Sequence, residues 1–166
     1  LALVGLATLI LILIVAIGAP LVSPQNPYNL ATLDIMDSKL PPGGQSLDGM
    51  TFWLGSDDQG RDMLSAIFYG LRISLGVGTL ATVCALAIGL AVGLIAAWFG
   101  GWVEAVIMRL VDLQLSFPSI LIALVLLASL GQGVDKIVIA LITVQWAYYA
   151  RTVRGAALVE RNKEYI

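Results

Sequence analysis

The sequence predicts an all-α membrane protein whose chain crosses the bilayer several times. Hydrophobic residues make up 59% of its 166 residues and charged residues only 12%, about half the charged share of a soluble protein. Mean hydropathy is correspondingly high, at +0.93. A helix needs roughly 20 apolar residues to cross the hydrocarbon core of a membrane. Four apolar runs approach this length and predict four spans, at residues 1–22, 73–99, 113–130 and 137–153.

The residue types that are rare in the chain exclude several kinds of chemistry. Histidine is absent, so a Ser-His-Asp or Cys-His nucleophile and a His-ligated metal are excluded. The single cysteine cannot form a disulfide within the chain. No phosphate-binding loop of the GxxxxGK[ST] type occurs, and a net charge of −2 does not suit a nucleic-acid-binding surface. We therefore expect no catalytic residue, metal or cofactor on this chain.

The first apolar run, residues 1–22, predicts transmembrane helix 1. It carries no charge, and Pro20 and Pro24 mark its end because proline disrupts a helix. A cleaved signal peptide is the alternative, but the stretch is longer than the apolar part of a signal peptide and further spans follow. The chain begins inside this run without methionine and ends after a basic segment. We expect a fragment of a longer protein, truncated at both ends.

Residues 23–70 predict an external loop that is mostly irregular. Four of the six prolines lie here, together with several glycines, and these residues favour turns. The apolar spacing of residues 61–69 predicts a short helix at the outer membrane interface that leads into the second span. Asp57 or Asp58 is the expected N-terminal cap of that helix, because a short acidic side chain accepts hydrogen bonds from its first free amides.

Small residues occupy every fourth position along the second predicted span. They are Ala81, Ala85, Gly89, Gly93 and Ala97. Small side chains at this spacing allow another helix to approach closely. One interpretation is an interface with another subunit or the lining of a pore, and the alternative is ordinary packing within the chain. Either interpretation predicts a helix packed among helices.

Charged residues and a proline surround the start of the third predicted span. Arg109 and Asp112 are three residues apart and are predicted to pair on one helix face. One interpretation is a proton or ion path, because ionisable groups within a membrane are often functional. The alternative is a cytoplasmic extension of the helix over residues 102–112. Pro118 predicts a kink, which serves as a gate or as a static bend.

The distribution of charge predicts the orientation of the chain. Residues 23–70 contain six acidic and two basic residues, a net charge of −4, whereas residues 151–164 carry a net charge of +2. An excess of lysine and arginine marks the cytoplasmic side of a membrane protein. With four spans, both the N-terminus and the C-terminal tail are then expected in the cytoplasm.

One stretch of the sequence carries a family resemblance. Residues 54–75 read LGSDDQGRDMLSAIFYGLRISL. This stretch resembles the signature LGTDxxGRDxxSRxxYGxRxSL of the C-type permease subunit of dipeptide, oligopeptide and nickel ABC importers. Ser56 replaces the usual threonine and keeps a hydroxyl, whereas Ala66 replaces a usual arginine, whose role is therefore lost.

Further landmarks of the same family follow in the expected order. They are FGGW at 99–102, MRLVD at 108–112, FPS at 117–119, and EYI at 164–166, where the EYxxAAxxxG coupling segment of the family begins. The resemblance implies a type I ABC importer permease fold, with four of six spans present. Residues 71–166 would form its transmembrane core.

The resemblance also implies a function and a set of partners. The chain would form half of the translocation path of an ATP-driven importer for di- or oligopeptides or nickel. The location would be the inner membrane of a bacterial or archaeal cell. Partners would be a second permease subunit, two cytoplasmic ABC ATPases, an external substrate-binding protein and membrane lipid, and no nucleic acid. ATP hydrolysis would take place on the ATPase chains, so this chain is not expected to be an enzyme.

Two groups of residues acquire expected roles from the resemblance. The approach to the ATPase-coupling segment consists of Arg151, Arg154, Glu160, Arg161, Lys163, Glu164 and Tyr165. The alternative for this group is a solvated basic tail that only fixes orientation. The motif of the external loop consists of Asp57, Asp58, Gln59, Gly60, Arg61 and Asp62. It is expected to contact the binding protein, to line the outer mouth, or to position the helix that enters the second span.

Two other functions stay open at this stage. An ion-coupled secondary transporter or channel would use Arg109 and Asp112 directly. A membrane scaffold without transport activity would use neither residue.

Overall fold

The computed structural model of the chain describes residues 1–161 and residue 163. Five helices dominate it, and two 3₁₀ turns and a two-stranded hairpin lie between the first and second helices. The helices are α1 (Ala2–Val22), α2 (Met63–Phe99), α3 (Gly101–Leu115), α4 (Ser119–Leu130) and α5 (Val134–Arg161). The 3₁₀ turns are Leu30–Thr32 and Ile35–Asp37, and the strands are β1 (Gly44–Gln45) and β2 (Thr51–Phe52).

The number of helices able to cross a membrane differs from the four that were predicted. Within the described residues, α1 and α2 are long and apolar enough, and α3 with α4 forms a third candidate if the pair counts as one broken span. Residues 113–130 were predicted to form one span. They are instead divided between α3 and α4, and the chain bends by 85° between these two helices. By the same criteria of length and composition, α5 is not a candidate; its uncharged stretch from Ile137 to Ala150 is 14 residues long.

The chain divides into two compact units, Leu1–Gly76 and Val77–Ile166. In the first unit, α1 exposes most of its side chains and buries only Ala16 and Ala19. The connection to α2 is irregular apart from its 3₁₀ turns and its antiparallel hairpin, in which Gly44 lies opposite Phe52. Phe52 is fully buried and gives this segment its apolar centre.

The predicted short helix at 61–69 is not a separate element. A single helix, α2, starts at Met63 and continues for 37 residues through the region expected to join two helices. Glycines at 70, 76 and 78 weaken a helix by roughly 1 kcal/mol each, but α2 continues through all three. The prediction of a boundary near residue 70 is therefore wrong, because the helix that begins at Met63 is the same helix that contains the second apolar run.

The second unit contains α3, α4, α5 and the C-terminal part of α2. A tight turn joins α2 to α3 at Gly100 and Gly101, whose φ angles of 63° and 54° favour glycine. The core of this unit is formed by Val111 of α3 with Ala147 and Ala150 of α5, all fully buried. Small side chains on α5 therefore let α3 lie against it at close range.

Candidate functional site

Two ion pairs join α3 to α5. The carboxylate of Glu104 accepts hydrogen bonds from Nε of Arg154, at 2.7 Å, and from Nη2 of the same guanidinium. About two helical turns further along α3, Asp112 pairs with Nη2 of Arg151. These contacts place two acidic groups of α3 opposite two arginines of α5, and we call the four residues the charged clasp.

The order of these contacts shows that α3 and α5 run antiparallel. On α3, residue 104 contacts residue 154 of α5, and residue 112 contacts residue 151. Further along α3, the side-chain amide of Gln114 donates to the carbonyl oxygens of Thr143 and Val144, so the partners on α5 move toward its N-terminus. The amide of Gln114 thus binds backbone oxygens that the local helix already uses. Polar contacts therefore continue along α5 beyond the charged pairs.

The charged clasp borders a cavity of about 400 Å³. Its walls also include Gly101, Ala105 and Met108, all on α3. The side chains of Glu104 and Arg154 are 20% and 36% exposed, and those of Arg151 and Asp112 are about half exposed. Water reaches the second pair more easily and weakens its attraction more. The electrostatic attraction between Glu104 and Arg154 is therefore the stronger of the two.

The predicted pairing of Arg109 with Asp112 is wrong. Asp112 pairs instead with Arg151. Arg109 lies on the exposed side of α3, and within residues 1–161 and 163 no acidic side chain pairs with it. Local spacing favoured a pair on one helix, but the close approach of α5 offered Asp112 a partner on another helix.

The small-residue stripe of α2 is buried along its whole length, and its central glycines contact α5. A Cβ atom added at Gly89 would lie 2.8 Å from the carbonyl oxygen of Trp146 and would overlap Cβ of Tyr149. One added at Gly93 would lie 2.6 Å from the carbonyl oxygen of Ala150. Only glycine permits this approach, so these two positions set the distance between α2 and α5.

The last turns of α2 and α5 are joined by Arg161. Its Nη1 donates to the carbonyl oxygen of Ala97 at 2.9 Å, and to that of Trp98 at 3.5 Å. These carbonyls belong to the end of α2, where no further helical amide is available to them. A cleft of about 780 Å³ opens beside this contact, with apolar walls that include Leu94 and Phe99.

The structure describes only some of the remaining residues of the expected coupling approach. Nζ of Lys163 pairs with Oε1 of Glu160 at 2.5 Å. Glu164 and Tyr165 lie outside the residues that the structure describes. Of this group, Arg151 and Arg154 are engaged with α3, and Arg161 with α2.

In the first unit, Asp57 organises the loop motif. Its Oδ1 accepts hydrogen bonds from the backbone N–H groups of Gln59, at 2.8 Å, and Arg61, at 3.0 Å, while its Oδ2 pairs with Nε of Arg61 at 2.9 Å. Burial would raise the pKa of Asp57, but these hydrogen bonds and the Arg61 charge outweigh it and lower the pKa from the ordinary value of 3.8. The motif is therefore a closed turn held by an ionised carboxylate.

Two neighbours of Asp57 complete the turn. Gly60 has a φ angle of 72°, and a Cβ atom there would overlap the carbonyl group of Asp34. Asp58 pairs with Lys39 at 3.3 Å, with both side chains more than three-quarters exposed, so this pair contributes little stability. Gly60 is thus required by the packing of the loop, whereas Asp58 lies on its surface.

Asp62, and not Asp57 or Asp58, caps α2. Its Oδ2 accepts hydrogen bonds from the backbone N–H of Ser65, at 2.8 Å, and from the Ser65 hydroxyl, at 2.6 Å. This is the bond that an N-cap side chain makes to the third residue of a helix. Asp62 and Ser65 are both fully buried.

Comparison with known proteins identifies the family to which this arrangement belongs. Residues 89–166 match the family described as "Binding-protein-dependent transport system inner membrane component", and residues 1–42 match the "N-terminal TM domain of oligopeptide transport permease C". Over these two segments the chain matches families of transport-system permeases.

Individual relatives of this permease chain agree with the assignment. It is 43% identical, over 99% of its length, to the dipeptide transport system permease protein DppC of Escherichia coli strain K12, and covers 54% of that protein. It is 36% identical over its full length to the oligopeptide transport system permease protein OppC of Bacillus subtilis strain 168, covering 52% of it. The permease chain thus spans about half the length of the curated relatives it matches.

Some organising residues of the permease chain were missed from the sequence. Asp37 is buried, and its carboxylate accepts hydrogen bonds from the Ser46 hydroxyl and, at 3.1 Å, from the Leu47 backbone. Nothing near Asp37 in the sequence signals these partners, because they lie nine and ten residues away. By contrast, the spacing of Asp62 and Ser65 is a recognisable N-cap pattern that predicts the start of α2.

Proposed function

We propose that the full-length protein containing this chain is a permease subunit of an ATP-driven, binding-protein-dependent importer of di- or oligopeptides. The observation that carries the proposal is the 43% identity to a dipeptide transport permease over nearly the whole chain. The family match over α3, α4 and α5 supports the same assignment. Transport is then a property of an assembly in which this chain forms part of the path.

The partners follow from the same proposal. A second permease subunit completes the path, an external binding protein delivers the peptide, and two cytoplasmic ABC ATPases supply energy. The absence of a phosphate-binding loop from the sequence fits ATP hydrolysis on other chains. ATP can drive transport only if the ATPases bind more tightly to one conformation of the permease than to another.

The proposal places both termini of the chain in the cytoplasm of a bacterial or archaeal cell, with the inner membrane between them and residues 23–62. Charge supports this orientation, because acidic residues predominate in the loop and basic residues near the C-terminus. In this arrangement α3 and α4 cross as one broken span. α5 crosses last, and its polar side chains are tolerated because they bind α3 instead of facing lipid.

The charged clasp and Arg161 then acquire a role in energy coupling. They attach the C-terminal half of α5 to α3 and to the end of α2. A force applied by an ATPase near the end of α5 would pass to these two helices through directional, charge-assisted contacts. The proposed role of this half of α5 is therefore transmission and not substrate binding.

Reconstitution of the full-length permease with its partners in liposomes tests the function. We expect uptake of a labelled dipeptide that requires the binding protein, ATP on the ATPase side, and both ATPases. Replacing the phosphate-loop lysine of the ATPases should abolish uptake while leaving the complex assembled. Uptake by the permease alone under an ion gradient would contradict the proposal and favour a secondary transporter.

A further inference from the structure

Two buried polar atoms of the first unit have no hydrogen-bond partner among the described residues. They are Oγ of Ser23, at the end of α1, and Oδ1 of Asp62, at the start of α2. Leaving such a group unsatisfied costs about 1–3 kcal/mol, and most buried polar groups in proteins are satisfied by protein or by ordered water. Each atom therefore requires a partner beyond those that residues 1–161 and 163 supply.

Hydrogen bonds through Gln25 join the segment that follows α1, on which Ser23 lies, to the start of α2, where Asp62 lies. The backbone N–H of Gln25 donates to the Ser65 hydroxyl at 3.2 Å, and its side-chain oxygen accepts from the backbone N–H of Asp62 at 2.8 Å. Ser23 is two residues before Gln25, so its Cα lies within about 7 Å of that of Gln25. Ser23 and Asp62 thus flank the same contact between two segments.

The groups around Asp62 are already engaged. Its Oδ2 accepts both hydrogen bonds of Ser65, and the Ser65 hydroxyl uses its only proton on Asp62 while accepting from Gln25. The side-chain oxygen of Gln25 is bound to the Asp62 backbone. The orphaned oxygen of Asp62 therefore needs a donor from outside this set, and the Ser23 hydroxyl, two residues before Gln25, also needs a partner.

We propose that Ser23 and Asp62 hold one buried water molecule between α1 and α2. The water donates one hydrogen bond to Oδ1 of Asp62 and forms a second with the Ser23 hydroxyl, which both donates and accepts. A buried water needs at least two such polar partners, and this site provides them.

Water fits this position better than a cation. The carboxylate of Asp62 lies at the N-terminal end of a 37-residue helix, where the helix dipole presents partial positive charge. Two donors from Ser65, together with the positive end of the helix dipole, already compensate its negative charge. A cation would be repelled by the same end of the helix, whereas a neutral water is not.

The water completes a connection on which the position of α1 depends. The side chains of α1 are mostly exposed, with only Ala16 and Ala19 buried, so apolar packing within the first unit fixes this helix weakly. The hydrogen bonds of Gln25 and the bridging water tie its C-terminal end to the capped start of α2. Ser23 and Asp62 are positioning residues for α1.

The direct test is a structure of the full-length permease in its assembled complex, at a resolution that shows ordered water. We expect one water within about 3.2 Å of both Oδ1 of Asp62 and Oγ of Ser23. The Ser23→Ala variant should lose that water. An empty site, a direct Ser23–Asp62 hydrogen bond, or an ion surrounded by oxygens at about 2.3–2.6 Å would each overturn the proposal.

A double-mutant cycle gives an independent test. Asp62→Ser keeps a hydroxyl that can cap α2 but removes the orphaned oxygen, and Ser23→Ala removes the other partner. We expect the two losses in melting temperature of the complex to differ from additivity by about 2 °C or more. The matched control pairs Asp62→Ser with Thr8→Ala, because the Thr8 hydroxyl binds only Val4 within α1. Additive losses in the Ser23–Asp62 cycle would overturn the bridge.

Discussion

The carboxylate of Glu104 and the guanidinium of Arg154 form a two-bond ion pair across 50 residues of sequence. This pair is the less exposed of the two pairs in the charged clasp. Its two hydrogen bonds make it the strongest polar link between α3 and α5. In the proposed importer the link attaches the end of α5 to α3, so its loss should affect coupling as well as stability.

Glu104→Gln is expected to destabilise the assembled complex by about 1–2 kcal/mol, because it leaves a partly buried arginine without its counter-charge. ATP hydrolysis should become less dependent on added binding protein and peptide, since α3 no longer follows α5. The measurements are thermal melting and peptide-stimulated ATPase activity.

The exchanged variant Glu104→Arg with Arg154→Glu is the control for that prediction. It should recover part of the stability lost in each single variant, because the two charges meet again. Single variants as stable as the unchanged protein, with no recovery to measure, would show that the pair contributes nothing to the α3–α5 contact.

Gly89→Leu is expected to reduce assembly, because a side chain there would collide with Tyr149 and with the backbone at Trp146. Overpacking of this kind costs about 1–3 kcal/mol. Gly78→Ala is the matched control in the same helix, since an added Cβ there has open space and favours helix formation. Equal yield and melting temperature for the two variants would contradict the close contact of α2 with α5.

Asp57→Asn is expected to loosen the loop motif at neutral pH but not in acid. Because the folded-state pKa of Asp57 is lowered below 3.8, its ionised form stabilises the loop above that pH, and the stabilisation is lost as pH falls through the folded pKa. Hydrogen exchange at the Gln59 and Arg61 amides, compared at equal pH, measures this. The difference between variant and unchanged protein should vanish below the folded pKa, and a constant difference would contradict the mechanism.

Asp112→Asn is expected to lower complex yield slightly and to leave peptide preference unchanged. Its partner is Arg151, and both side chains are about half exposed, so the pair contributes less than about 1 kcal/mol. Arg151→Gln should have the same effect. Competition among labelled peptides of different length measures preference, and an altered preference in a fully assembled complex would show that Asp112 contacts substrate.

Apolar runs in the sequence predicted the strongly apolar helices well. The first run, 1–22, coincides with α1, and the run at 73–99 ends with α2 at Phe99. Helix boundaries set by local polar contacts were less predictable. The start of α2 at Met63 depends on Asp62, whose capping bond to Ser65 has a sequence pattern that was not used.

Contacts between distant segments were beyond prediction from one sequence. Spacing along a single helix suggested that Asp112 pairs with Arg109, whereas the antiparallel packing of α3 and α5 supplied Arg151. The 85° bend was anticipated at Pro118 only as a kink. A proline predicts a broken hydrogen bond, but the angle that results depends on the packing of α4 against α5, which the local sequence does not encode.

The contact of Arg161 with the carbonyl oxygen of Ala97 extends the contacts between α2 and α5 to their last turns. The two helices run parallel and are matched at Gly89, at Gly93 and again at this last turn. Inserting one residue into either helix between these marks would advance it by about 1.5 Å and rotate it by about 100°, which would remove every later match. We therefore expect insertions to be tolerated in the loops and not within these stretches of α2 and α5, because the position of the C-terminal end of α5 is set by its contacts with α2.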